Sequence, residues 1–471
     1  MYCYIILCED STFYAGWTKN VALRFEKHRK GTGSHYTRMH SPRKVIYWET
    51  CANISHALKK EIKIKKLDRS RKKNLILSWK SKMKLPDEFN KYEYLSIAPG
   101  RVNLIGEHID YNGGPVLPAA IDRYVFLGAN KAKAGEINIK SLDFNQTVSI
   151  SLKSIEEKKD IDGKQLPDWA LYPAGVVWVA KNKNLRINPF EGIFTSSVPI
   201  GAGLSSSAAV EVAFAAFLRE ENHWELDNLE LSQLCQKAEN EYIGVNCGLM
   251  DQFASVNGIE GSALYLDTNS HDSFPVKLPK EIALVITNSK LPRTLSSSEY
   301  NLRRTSCENA LLEIQNDFPT IKNLSELSYR QFEKVKKRLG PVDAKRVEHV
   351  INETERVKIS IELLQNNDIR QFGKLMISSH ESLRDLYEVS THELDLLVST
   401  AIGIEGCYGS RLTGAGFGGC VISLVDKKYV PIFIKHLEKA YFSSTGINSE
   451  TYVCQTSDGV NVKWRDKNQH F

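Results

Sequence analysis

No run in this chain of 471 residues approaches the about 20 consecutive apolar residues that a membrane-spanning helix needs, so no membrane partner is expected. The opening residues, MYCYIILCEDS, are apolar only briefly and carry no basic lead-in; they do not read as a secretory leader, and a cytoplasmic protein is expected. The nine cysteines are odd in number, irregularly spaced and without a CxxC pair, which argues against a disulfide framework or a zinc ribbon and for reduced thiols. There is no low-complexity tract and no repeat at a fixed period. What remains is an ordinary globular composition, 42% hydrophobic and 25% charged, in a chain too long for one core. Two or three domains follow.

Charge is unevenly spread. Residues 1–84 hold 20 Lys+Arg and 6 Asp+Glu, a net +14; the rest holds 42 and 50, a net −8. Such a basic block suits nucleic acid phosphates, and equally suits a lysine-rich solvated surface. The polar stretch SKMKLPDEFN, with Pro86, lies where the sign changes. A boundary is expected near Leu85, giving segments 1–85, 86–287 and 288–471.

In the first segment, Tyr2–Cys8 and Thr12–Ala15 read as strands of a hairpin joined by Glu9-Asp10-Ser11. Val21–Arg29 reads as a helix with Arg24 and His28 on one face, and Val45–Trp48 as a strand. A helix capped by Ser55 runs to Leu67, with Ala57, Leu58, Ile62, Ile64 and Leu67 on one arc at about 100° per residue. Glu61 falls inside that arc, where a carboxylate needs a partner such as a metal or a base. Tyr2-Cys3-Tyr4 and Tyr14-Ala15-Gly16, with Arg24, His28 and Glu61, resemble the GIY-YIG nuclease family over roughly residues 1–80. The resemblance implies a small α/β domain in which Tyr4 and Tyr14 activate water, Arg24 meets phosphate charge, His28 completes the site and Glu61 holds Mg²⁺. Phosphodiester hydrolysis needs such an activated nucleophile, a cation and a metal. Isolated tyrosines are otherwise ordinary strand aromatics.

Three glycine-rich segments follow. APGRVNLIGEHIDYNGG, after a strand at Tyr92–Ile97, places Arg101, Glu107, His108 and Asp110 within ten residues; it suits a polyhydroxylated ligand or is a solvated turn. PIGAGLSSSAA feeds an apolar helix, an anion cradle without the lysine of a Walker A loop. Its serines suit phosphate oxygens or Mg²⁺. GCYGSRLTGAGFGGC has six glycines in fifteen residues, which argues for close backbone approach and against core packing, and leads into a strand at Val421–Val425. Leu231, Leu234, Ala238 and Tyr242 form a helical stripe with Glu239 at its edge. Asp251, after the break at Gly248, is either a base or a helix cap.

In this order, the three segments resemble the GHMP small-molecule kinases over residues 88–471, and within them the branch that acts on galactose. The fold implied is an α+β multidomain protein: the small GIY-YIG domain, a kinase N-lobe like ribosomal protein S5 domain 2, and a ferredoxin-like C-lobe. The activity implied is transfer of the ATP γ-phosphoryl to the anomeric hydroxyl of galactose. By resemblance Asp251 is the base and Arg101 its companion, and Glu107, His108, Asp110, Gly248 and Tyr300 meet the sugar. Pro199, Gly201, Gly203, Leu204, Ser205, Ser206 and Ser207 form the ATP loop, and Ser206 with Glu239 meets Mg²⁺. The chain departs from the branch at Ile109, usually threonine, and in NSKLPRTL from Asn288, where a valine and a basic–His pair are usual. The departing loop sets galacturonate, arabinose and N-acetylgalactosamine beside galactose, and Lys290 or Arg293 there would suit an acidic sugar. A nucleic-acid protein with a sugar-sensing kinase-like module is the other class of reading.

Overall fold

The computed structural model describes residues 1–464 apart from 11, 20, 52, 70, 73–84, 133–134 and 292–295. The chain divides into two compact units, one within Met1–Leu95 and Asn461–Phe471, the other Ser96–Val460.

The first unit is built on a three-stranded antiparallel sheet whose central strand, Tyr2–Cys8, pairs with Phe13–Thr18 on one side and Pro42–Thr50 on the other. Alternation along the central strand sends its side chains to two faces. Cys3 and Ile5 pack with Ala15, Tyr47 and the Ala57 and Ile64 of the helix Ile54–Lys66. Tyr4, Ile6 and Cys8 pack instead with Phe25 of the helix Val21–Arg29. The helix Ile54–Lys66 differs from expectation in two respects. Its cap is Asn53, whose side chain accepts from the His56 amide, rather than Ser55. Its buried stripe is narrower than the arc, for Leu58 and Ile62 are 41% and 53% exposed.

In the second unit, the strand Tyr94–Asn103 does not stop at Ile97 but continues through the first glycine-rich segment as far as Asn103. It neighbours Pro118–Lys131, which pairs antiparallel with Phe190–Ser196. That strand runs parallel to Ile137–Ser141, itself paired with Gln146–Ile150. The helix Ser206–Asn222 is apolar around most of its circumference and is buried from Ala208 to Leu218, packed against other helices and Pro118–Lys131. A second sheet has the order Cys407–Thr413, Cys420–Asp426, Ile282–Asn288, Glu450–Cys454, all antiparallel.

The third glycine-rich segment overturns one expectation. Its first half is the strand Cys407–Thr413, with Ser410, Arg411, Leu412 and Thr413 fully buried. Close approach does hold: a Cβ on Gly409 would stand 2.3 Å from the Gly373 carbonyl oxygen, and one on Gly373 1.9 Å from that of Tyr408. The helix Ile369–Asp385 therefore crosses the strand backbone to backbone.

Candidate active site

The second unit holds a cleft of ≈ 750 Å³ lined by Arg101, Glu107, His108, Asp110, Asp251 and Tyr300. Gly201, Gly203, Ser205, Ser206, Ser207 and Glu239 line it as well. Of the residues assigned by resemblance to the sugar, ATP and Mg²⁺ sites, three lie outside this lining. Pro199 and Leu204 are in the loop's frame, where the Leu204 carbonyl accepts from the Arg101 amide at 3.1 Å. Gly248 lies behind Asp110; a Cβ there would stand 2.0 Å from Asp110 Oδ2.

Asp251 is in the first turn of the helix Met250–Asn257, not at its cap, which is Leu249. Arg101 donates to both carboxylate oxygens at 2.7 Å, and its third arm, Nη1, donates to the Gly203 carbonyl at 2.8 Å. Ser205 Oγ donates to Asp251 Oδ2 at 2.5 Å. Ser205 holds a left-handed backbone, φ 56°, which turns the glycine loop into the helix Ser206–Asn222. The free amides of that helix start thus face the same cleft as the aspartate.

The sugar-signature loop is held from beneath. Glu107, 2% exposed, accepts from Asn103, from the fully buried Arg411 at 3.2 Å and from the Gly414 amide. Burial pushes its carboxyl up, opposed by Arg411 and Arg101. His108 has a left-handed backbone, φ 62°. Its Nε2 donates to the Ala415 carbonyl at 3.1 Å, so Nδ1 accepts from Tyr111 Oη at 2.8 Å. Burial, with His349 and Arg303 near, lowers His108 to about 3, and it stays a neutral imidazole. Burial, then the charges of Asp251 and Glu107, pushes Asp110 up to about 7. Tyr300 lies against the His108 ring at 5.4 Å between centroids.

Glu239 lies in a π-helical turn, Ala238–Ile243, that continues the helix Asn228–Lys237 and carries on the stripe of Leu231, Leu234, Ala238 and Tyr242, all buried. Burial and Asp251 push Glu239 up to about 7. A carboxylate and the Ser206 hydroxyl facing one cleft are hard oxygen donors, the set Mg²⁺ takes when phosphates complete its shell. Among the described residues, no group of three His, Cys, Asp or Glu could hold a metal unaided.

Sequence reasoning missed an aromatic part of the cleft lining. In it Phe144 and Trp169 lie nearly parallel, 11° apart with centroids at 6.3 Å, and Trp169 Nε1 donates to Gln146 Oε1 at 2.8 Å. These residues come from a turn and a helix start far in sequence from any glycine motif. Lys290 does not serve an acidic sugar: its ammonium pairs with Glu450, and it is absent from the cleft lining. Arg293 lies outside the described residues.

In the first unit, Tyr4 Oη and His28 Nε2 are 2.8 Å apart, and His28 Nδ1 stands 2.6 Å from Thr37 Oγ1. The Tyr14 ring meets His28 at 4.9 Å. Burial, then Arg24, lowers His28 to about 4, while burial pushes the Tyr4 phenol up. Arg24 hydrogen-bonds Tyr4 and Tyr14, and its Nε has no partner among the described residues. Glu61 is on the helix whose Ala57 and Ile64 pack on the Cys3 and Ile5 face, and its carboxylate pairs with Lys65 at 2.6 Å. The partner that sequence reasoning required is a base on its own helix.

The two lobes around this cleft are those of the GHMP small-molecule kinases, whose N-terminal family matches residues 172–258 and C-terminal family residues 360–443. The galactokinase galactose-binding signature matches residues 85–131, and the GIY-YIG catalytic domain residues 1–74. A galactokinase from Fusobacterium nucleatum is 42% identical over 394 residues, covering 82% of this chain and 98% of that protein. One from Roseiflexus is 41% identical over 363 residues, covering 77% and 91%. The crystal structure of Lactococcus lactis galactokinase complexed with galactose superimposes with a TM-score of 0.74 at 36% identity, over 79% of this chain and 95% of that one. The chain belongs to the galactokinase family, with a GIY-YIG segment ahead of the kinase.

Proposed function

We propose that this chain transfers the γ-phosphoryl of ATP to the anomeric hydroxyl of galactose, giving galactose 1-phosphate. The observation that carries the reading is the bidentate Arg101–Asp251 pair beneath the glycine loop. It fixes a carboxylate oxygen beside the place where an acceptor hydroxyl and a terminal phosphate would meet. Holding the two reactants in line accounts for most of the acceleration in such transfers. Asp251 orients the hydroxyl and takes its proton, while Arg101 steadies the carboxylate and the charge on the moving phosphoryl. Asp110 accepts from sugar hydroxyls, and Glu107, His108, Tyr300 and Gly248 shape the loop around the sugar. Gly201, Gly203 and the serines 205–207, in the frame of Pro199 and Leu204, cradle the triphosphate. The Phe144 and Trp169 rings supply an apolar seat for the base. Mg²⁺, held by Glu239 and Ser206, would neutralise phosphate charge.

The test is a coupled assay of the purified chain with MgATP and galactose, galacturonate, arabinose or N-acetylgalactosamine. Galactose should give the highest kcat/KM. A chain that phosphorylates none of them, or prefers galacturonate, would refute the assignment; Lys290, already paired with Glu450, supports the neutral sugar.

We infer a second activity for the first unit, phosphodiester recognition and cleavage in nucleic acid. It is supported by the Tyr4–His28–Thr37 chain of hydrogen bonds, which fixes the Tyr4 phenol, and by Arg24 beside it. Metal-dependent nicking of duplex DNA, lost in Tyr4→Phe, tests it.

A further inference from the structure

Beneath the cleft lies a buried acid to which the proposed transfer gives no task. Glu211 is on the helix Ser206–Asn222, one turn beyond the glycine loop, and is completely buried. Its Oε2 accepts from Gln252 Nε2 at 3.1 Å, and its Oε1 has no partner among the described residues. Gln252, also completely buried, follows Asp251 in the helix Met250–Asn257. The same Nε2 donates to Glu239 Oε2 at 2.6 Å. One amide nitrogen thus bridges two carboxyl groups, one facing the cleft and one sealed below it. Three elements are tied by this bridge: the helix that begins at the glycine loop, the helix of Asp251, and the π-helical turn of Glu239.

Packing alone does not account for Glu211. A buried carboxyl next to another acid is costly, and a leucine would fill much the same volume without that cost. What the carboxyl provides is a second fixed acceptor, opposite Glu239, for the Gln252 amide nitrogen. Burial, then the charge of Glu239, pushes the Glu211 carboxyl well above the usual carboxylate range.

We propose that Glu211 is a positioning residue for the magnesium–nucleotide site: it anchors the Gln252 amide, and through it holds the Glu239 carboxylate in the orientation that meets the metal. The inference rests on the metal role proposed for Glu239. Partners behind a ligand that fix its rotamer matter to metal affinity nearly as much as the ligand itself.

The experiment is calorimetric binding of AMP-PNP to the full chain, with magnesium and with EDTA, for the parent, Glu211→Gln and Glu211→Leu. Glutamine keeps an acceptor oxygen at the same place and cannot ionise, so it should bind magnesium–AMP-PNP as the parent does. Leucine should lose about 10- to 100-fold in magnesium-dependent affinity. Its metal-free affinity should be unchanged, which a merely structural defect would not allow. Gln252→Met carries the same expectation and replaces the leucine variant if that one does not fold. Full magnesium-dependent affinity in the leucine variant, an equal loss with and without metal, or a glutamine variant as weak as leucine would each overturn the inference. A parent chain whose nucleotide affinity ignores magnesium would instead overturn the role of Glu239, and this inference with it.

Discussion

Arg101 grips Asp251 with two parallel hydrogen bonds of 2.7 Å, and its remaining arm is spent on the Gly203 carbonyl of the glycine loop. The fork geometry of the guanidinium leaves the carboxylate one orientation. Lysine would keep the charge and lose the fork, so the pair is sensitive to an exchange that conserves charge.

Asp251→Asn should therefore reduce kcat by about 10²–10⁴-fold, the usual contribution of a positioned general base. Nucleotide affinity should fall far less than kcat, because asparagine keeps the shape and an acceptor oxygen for Arg101 and Ser205. Arg101→Lys should lower kcat with the same nucleotide affinity. Steady-state kinetics and AMP-PNP binding separate these outcomes from loss of the nucleotide site.

Gly248→Ala should raise the KM for sugar and leave that for ATP unchanged. Its Cβ would need the space of Asp110 Oδ2, 2.0 Å away, and displacing that carboxylate disturbs only the acceptor end. A rise in both KM values would show that the displacement spreads to the loop.

Asp110 gives a pH test. Its folded value near 7 lies above the about 3.9 of an exposed aspartate, so the folded chain holds a proton that the unfolded chain releases. That contribution to stability is complete below about pH 4 and is lost as pH rises through about 7. Asp110→Asn should make the melting temperature fall less steeply between those limits than in the parent. Parallel curves in scanning calorimetry would place the titration elsewhere.

Arg411 and Glu107 form a buried pair, 0% and 2% exposed. Removing one partner leaves a buried charge unmatched, so Arg411→Met should cost about 3–5 kcal/mol of unfolding free energy, measured by urea titration. Glu107→Gln in the same chain should recover part of the loss.

The basic first unit should bind duplex DNA with an affinity that falls steeply with added salt, since each phosphate contact releases counterions. Gel shifts across a salt series measure the slope, and a flat response would assign the charge to a solvated surface. Tyr4→Phe should remove nicking without altering that slope or the kinase rate.

Much of this was readable in the residues. The strand Tyr2–Cys8, a short apolar run closed by turn residues, and the helix Val21–Arg29 were read with the bounds they have in the fold. The buried stripe from Leu231 to Tyr242 was legible from its helical spacing, although the π-helical turn inside it was not. Local pattern failed where a distant element decides the outcome. Leu58 and Ile62 belong to the apolar arc of their helix and yet are exposed, because the sheet face receives only Ala57 and Ile64. The strand Tyr94–Asn103 extends past Ile97 because its neighbours in the sheet continue, which no residue of its own announces. Motif spacing brought Arg101, Glu107, His108, Asp110 and Asp251 into view. The aromatic pair of Phe144 and Trp169 and the amide bridge at Gln252 became visible only when the chain was folded.

Where Gly373 and Gly409 meet, each position already carries the smallest side chain there is. Elsewhere in a core, an enlarged residue can be rescued by shrinking its neighbour, so pairs of sites drift together through sequence space. This crossing offers no such route. A methyl group on either glycine meets main chain, and no substitution at the other can make room. Suppressors of a substitution here would have to act from a distance by adding stability elsewhere, which makes the pair a fixed point around which the rest of the second lobe is free to vary.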